Sequence, residues 1–347
     1  MSERGSVARQ VALGAVVFVA TLVLLAGLAG MATRGGAARA SASPAVSAPA
    51  VQGSPITSPA PSRPPGSAAP SADPSGDPSG DPAPVVLAGA GDIADCSLAG
   101  AGQTSDLLLR ESGSIFTLGD NAYQDGSTAD YSACYEPTWG RVKDRTILPV
   151  AGNHDWNTAG AAGYRAYFGA AATPAGVTWS SRDVGAWHVI VLDSDCAKVG
   201  GCGPESEQGR WLASDLAAST ARCTLALWHH PRFSSGEHGN DPLVDPLWRQ
   251  LHAAGVDLVV NGHDHDYERF APMDGAGNLQ RPGGMREIVV GTGGAALRPF
   301  HTLAANSEFR LAGSWGVLRL TLHPANYDWE FLPVAGAAAD GGSTPCH

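Results

Sequence analysis

Gly262-His263-Asp264-His265 sets two imidazoles two positions apart. On an extended segment alternate side chains point the same way, so His263 and His265 can reach one ion. Four other short motifs offer comparable donors: Gly91-Asp92, Gly119-Asp120-Asn121-Ala122-Tyr123, Gly152-Asn153-His154-Asp155 and His229-His230-Pro231. The candidate ligands are therefore Asp92, Asp120, Tyr123, Asn153, His229, His263 and His265. They supply oxygen and nitrogen donors with no Cys or Met, a set suited to Zn, Fe or Mn. Seven ligands exceed one tetrahedral site and fit two ions, which a shared carboxylate would hold roughly 3.5–4 Å apart. Tyr123 is an unusual ligand and favours a strongly Lewis-acidic ion, Fe(III). Each motif alone has a bland reading: a Gly-Asp after a strand is commonly a turn, and a lone HxH occurs in satisfied cores.

The motifs gain weight from what precedes them. Short apolar runs at Val85–Ala90, Ile115–Leu118, Ile147–Ala151, Thr224–Trp228 and Leu258–Val260 read as buried strands. Each leads directly into one motif. In α/β sheets the loops beyond the carboxyl ends of the strands build the site, so five such loops can gather their ligands at one edge. Thr104–Glu111, Glu205–Ala218 and Leu243–Ala254 have helical patterns, and Val184–Leu192 reads as a strand of a hairpin. Glu287–Val290 and Gly316–Pro333 add strands with little helix between them. The alternation predicts an α/β fold. The strand-rich end predicts a layered α+β arrangement of two mixed sheets covered by helices.

The order of motifs resembles the calcineurin-like metallophosphoesterases, and within them the purple acid phosphatase branch. Many relatives carry Asp-x-His in the first motif. Here the run is Asp92-Ile93-Ala94; the purple branch also lacks that His and supplies a tyrosine from GDxxY, matched by Tyr123. The resemblance covers about residues 85–335 and implies a β-sandwich flanked by helices. It implies Fe(III) held by Asp92, Asp120, Tyr123 and His265. Asp120 would bridge to a second ion (Zn, Fe or Mn) held by Asn153, His229 and His263. It also implies that His154 and His238 line the phosphate and help donate a proton, a role imidazole suits because its pKa lies near working pH. The reaction implied is attack of a metal-held hydroxide on a phosphomonoester, optimal at acid to neutral pH. A phosphodiesterase of the same superfamily is the nearest alternative. A stalked surface binding module with a vestigial metal site is the alternative from another class.

Neighbouring residues have plainer roles. Asp155 is placed to orient a ligating group, as carboxylates beside metal ligands commonly do. His230, Asp193 and Asp195 read as structural, and Glu268-Arg269 as a local ion pair. Ser234 and Ser235 lack the GxSxG elbow of a serine nucleophile. The stripe Trp211, Leu212, Leu216 is core.

The chain has 347 residues and a formal net charge of -11, with 44% apolar residues. That acidity argues against a duplex nucleic-acid partner, since phosphate backbones are held by clustered Lys and Arg. The partner expected is a small phosphate ester; the oligomeric state is not legible. Arg4 and Arg9 precede an uncharged run at 11–31, about long enough to span a bilayer. Residues 1–40 are thus read as a signal peptide or membrane anchor. A cleavage site stands near Ala40, and either reading exports the chain to the cell surface or beyond. Residues 41–84 hold 12 of the 25 prolines and no aromatic residue, the composition of a disordered stalk. The catalytic domain is assigned to 85–347. In an exported chain six cysteines favour disulfides, though six allow 15 pairings. The short loop between Cys196 and Cys202 favours that pair. Cys96 and Cys134 lie in loops that can be neighbours, leaving Cys223 and Cys346.

Overall fold

The computed structural model describes residues 82–336 and 340–347. The N-terminal apolar run, the cleavage site and the stalk up to residue 81 lie outside the described residues. Among the described residues no helix is long and apolar enough to cross a membrane.

Two mixed sheets form the molecule's frame. The strands are β1 (Val85–Ala90), β2 (Ser114–Thr117), β3 (Thr146–Leu148), β4 (Ser180–Val184), β5 (Trp187–Val191), β6 (Cys223–Leu227), β7 (Leu258–Asn261), β8 (Tyr267–Phe270), β9 (Arg286–Val290), β10 (Ser307–Leu311), β11 (Gly316–Leu322), β12 (Asn326–Pro333) and β13 (Asp340–Pro345). One sheet runs β13-β12-β11-β1-β2-β3 and the other β10-β8-β9-β7-β6-β5-β4. Within the first, β1, β2 and β3 are parallel. Within the second, β5, β6, β7 and β9 are parallel. The expected layered arrangement of two mixed sheets with helices is the one observed.

Alternation along the central strands explains the layering. Val189, Val191, Leu225, Leu227, Leu258 and Val260 pack into one cluster with Leu87, Ile115, Phe116, Leu318 and Leu320 of the facing sheet. Their neighbours Ile190, Ala226 and Val259 point the other way, against Leu212 of helix Glu207–Ala218 and Leu247 and Leu251 of helix Asp245–Ala253. These strands are therefore apolar on both faces, as parallel strands covered on both sides must be. Three disulfides join Cys96 to Cys134, Cys196 to Cys202 and Cys223 to Cys346; the Cys196–Cys202 pair is the one its short loop favoured.

Several local readings are corrected. β3 stops at Leu148 rather than Ala151, because Pro149 cannot continue a ladder. Glu268 and Arg269 do not pair with each other. Neighbouring strand residues face opposite sides, so Glu268 accepts from Ser235 while Arg269 bonds Asp340 at 2.7 Å.

Far from the motifs, the His188 imidazole lies between Asp215 (2.9 Å) and Asp183 (3.0 Å). The hydrogen bond to Asp215 raises its pKa above the usual value against the effect of burial, and Asp183 adds to it. A raised folded-state pKa stabilises the fold fully below the unfolded value of about 6.5, and the gain is lost as pH rises through the folded value. Wild type should therefore exceed His188→Gln in thermal midpoint by a few degrees at pH 5, on the order of 1 kcal/mol. The gap should narrow at pH 9. A gap that is equal at both pH values would refute this.

Candidate metal centre

All seven predicted ligands converge at the carboxyl ends of β1, β2, β3, β6 and β7. Asp92 and Asp120 follow β1 and β2, Asn153 follows β3, and His229 and His263 follow β6 and β7. The loops run tightly: Asp92, Asp120 and His263 have φ of 58°, 48° and 72°. Non-glycine residues in this left-handed region cost about 1–3 kcal/mol each and cluster where function over-determines the backbone. At Gly119, φ is 88° and an added Cβ would sit 2.4 Å from His229 Nδ1. Only glycine allows that loop to pass so close to the imidazole.

The donor atoms fall into two groups that share one carboxylate. In the first, the Tyr123 hydroxyl is 3.1 Å from Asp92 Oδ1, 3.2 Å from His265 Nε2 and 3.3 Å from Asp120 Oδ2. His265 Nε2 is 3.3 Å from Asp92 Oδ1. In the second, His229 Nε2 is 3.1 Å from Asn153 Oδ1, 3.2 Å from His263 Nδ1 and 3.4 Å from the same Asp120 Oδ2. Spacings slightly over 3 Å are what neighbouring donors adopt when each makes a bond of roughly 2.0–2.2 Å to a common ion. The donor set and its spacing fit two ions.

Outer hydrogen bonds aim the ligands. His229 Nδ1 donates to the Leu118 carbonyl and His265 Nδ1 to the Ala296 carbonyl, both at 2.7 Å. A carbonyl only accepts, so each Nε2 keeps its lone pair for the cluster. Asp155 accepts from Gly152 N at 3.0 Å and from Asn121 Nδ2 at 2.9 Å, which fixes the loop carrying Asn153. Burial, and after it the Asp120 carboxylate, pushes Asp155 up to about 6.

Electrostatics match a cation site. Burial would raise Asp120, but the His229 and His154 imidazoles hold it far below the usual carboxylate range. Burial would lower His229, yet Asp120 lifts it to about 10. Burial, then Asp92 and Asp120, raises the Tyr123 phenol well above its ordinary value. Without an ion the cluster keeps protons where it would otherwise hold cations, so metal and proton compete for the same atoms.

His154 and His238 border the cluster. His154 Nδ1 contacts the Gln124 carbonyl at 2.5 Å, and its Nε2 is 3.9 Å from Asp120 Oδ2. The His238 ring lies 4.1 Å from that of His263. His230 bonds Ser194 Oγ at 2.8 Å, in keeping with a structural part. Asp193 accepts from Trp156 Nε1 at 3.0 Å inside the core. Ser234 donates to Asp264 and Ser235 to Glu268, buried bonds that hold their loop.

Two residues at the site were not legible from sequence. Arg298, from Gly-Gly-Ala-Ala-Leu-Arg, reaches His238 Nε2 at 3.2 Å and Glu237 at 3.5 Å. No motif marks it. Asp264 was hidden between the two ligands of its own motif, although strand alternation would have turned it to the opposite side.

Comparison with known proteins agrees with this geometry. A family model described as calcineurin-like phosphoesterase matches residues 86–267, just over half of the chain. An uncharacterized protein of Mycobacterium tuberculosis is 32% identical over 157 residues, covering 38% of this chain and 29% of that protein. Purple acid phosphatase 15 of Arabidopsis thaliana is 28% identical over 217 residues, covering 52% of this chain and 40% of the relative. The chain thus spans less than half the length of these curated relatives. The structure of a purple acid phosphatase from yellow lupin (Lupinus luteus) seeds superposes with a TM-score of 0.60 at 20% identity, covering 76% of this chain and 54% of that one.

Proposed function

The chain belongs to the calcineurin-like phosphoesterase family, and from that premise we propose that it is an exported hydrolase of phosphate monoesters that works with two metal ions. The observation that carries the reading is Asp120 Oδ2, within 3.4 Å of a donor in each of the two ligand groups. Asp92, Tyr123, His265 and Asp120 would hold Fe(III). Asn153, His229, His263 and Asp120 would hold Zn, Fe or Mn. When bound, such a pair makes coordinated water acidic and offsets phosphate charge.

The rest falls to the chain's own side chains. His154 and His238 line one side of the pocket, within reach of a phosphate oxygen or the leaving oxygen. Either can protonate the departing alkoxide, a contribution of roughly 10²–10⁴ in rate. Arg298 adds a guanidinium beside His238, a geometry suited to an anionic oxygen. Export fits the three disulfides, which persist in oxidising compartments; an N-terminal signal or anchor over residues 1–40 would deliver it.

The test is turnover of an aryl phosphate by the purified chain, together with metal analysis and a visible spectrum. Tyr123→Phe should remove the tyrosinate-to-iron absorption of the iron-loaded protein and lower kcat about tenfold or more. If absorption and kcat are both unchanged, Tyr123 is not a ligand. A panel of monoesters and diesters separates the proposed activity from a phosphodiesterase.

A further inference from the structure

We propose that Asp264 is the positioning residue of the site, holding the His238 ring with Nδ1 as donor and Nε2 toward the pocket; the inference rests on the phosphomonoesterase reading. His263 and His265 point to the metal cluster, so the residue between them on this extended segment points away. It points into the loop that carries His238. Asp264 is fully buried. Its Oδ1 accepts from His238 N at 2.8 Å and faces His238 Nδ1 at 3.0 Å. Its Oδ2 accepts from the Ser234 hydroxyl, whose oxygen in turn accepts from Gly236 N at 2.9 Å. The loop closes so tightly on the carboxylate that a Cβ at Gly236 would lie 2.4 Å from Asp264 Cγ.

The neighbours on both sides of the imidazole have fixed roles. An ionised carboxylate only accepts, so Nδ1 must donate. A guanidinium only donates, so Nε2, at 3.2 Å from Arg298 Nη1, presents its lone pair. Asp264 is buried and cannot leave, whereas the Arg298 side chain is 33% exposed. A phosphate oxygen is a better partner for a guanidinium than an imidazole is, so a bound ester draws Arg298 off and frees Nε2. Once it has taken a proton from solvent, Nε2 can serve the leaving oxygen. In that step a water oxygen bonds to phosphorus, the electrons of the breaking P–O bond stay on the leaving oxygen, and that oxygen takes the Nε2 proton and departs as the alcohol. His238 is left neutral, its Nδ1 proton still donated to Asp264. One short motif thus supplies two metal ligands on one side and the support of the proton donor on the other.

Two measurements test this. Asp264→Asn keeps the shape but offers an amide that can donate to Nδ1 and reverse the tautomer. The comparable change in a serine-protease triad costs about 10⁴ in kcat. Here kcat on an alkyl phosphate, whose leaving oxygen needs the proton, should fall roughly 10²–10³-fold. On para-nitrophenyl phosphate, whose leaving group needs none, the loss should stay below about tenfold. Metal content and KM should hold steady. Equal losses on both substrates, or none, would overturn the proposal. The second readout needs no turnover. In the wild-type chain with nitrogen-15 histidine, the imidazole signal absent from His238→Ala should report a protonated Nδ1 at mildly alkaline pH. A proton on Nε2 instead overturns the proposal. A wild type that hydrolyses neither ester defeats the phosphatase reading, while the spectrum still decides the Asp264–His238 pairing.

Discussion

Asp120→Asn should lower kcat by about three orders of magnitude and release both metals together, the several kcal/mol an ion pair contributes to phosphoryl transfer. The side chain keeps its size, but its charge goes and one oxygen becomes an amide donor. Oδ2 faces Tyr123 on one side and His229 on the other, so no other donor can replace it. Oδ1 also accepts from His154 N at 2.8 Å, so the same substitution loosens a predicted proton donor. Asn153→Ala, by contrast, removes a ligand from one group only and should leave the other ion bound. Metal per chain by elemental analysis and kcat on an aryl phosphate give both numbers. If Asp120→Asn retains both metals, the shared-carboxylate reading is wrong.

That contrast follows from what the sequence made legible. Each predicted ligand sits within a few residues of a buried strand's end, so strand detection and donor chemistry together pointed to the seven side chains that converge here. Central strands were legible because both of their faces are apolar, as in β6 and β7. Three of the four edge strands were not, although the edge strand β3 was legible and the interior β8 was missed. β4 (SSRDV), β10 (SEFRL) and β13 (DGGSTP) face solvent on at least one side and carry no apolar run to betray them. Their pairing comes from the neighbouring ladder, a tertiary effect that overrides local preference. The first turn of helix Gly100–Leu108 was likewise missed, since Gly100-Ala101-Gly102 reads as a breaker. Arg298 escaped for another reason: its position depends on its backbone N–H bonding the His265 carbonyl at 3.1 Å, a contact between distant segments.

The largest stability effect should come from the covalent link most remote from the chemistry. Cys223 opens β6 in one sheet, and Cys346, 123 positions further on, follows β13 in the other. The bond ties the sheets together at the end of β6 opposite His229. β13 needs such a tie, because it pairs with β12 alone and is mostly exposed. Closing a loop of this length removes about 5 kcal/mol of unfolded-chain entropy by the chain-entropy estimate, while measured losses run from about 2 to 5. The double variant Cys223→Ala/Cys346→Ala should therefore melt about 10–15 °C lower, at roughly 2–4 °C per kcal/mol for a domain of this size. The metal cluster lies at the other end of β6, so kcat well below the new midpoint should stay within about twofold of wild type. Calorimetry and an aryl phosphate assay on the same samples separate the two effects. A drop in midpoint of only a few degrees would mean that β12 and the His347 N to Asp257 bond at 2.9 Å hold the edge strand without the disulfide. A lost kcat at low temperature would mean that the staple shapes the site across the full length of the sheet.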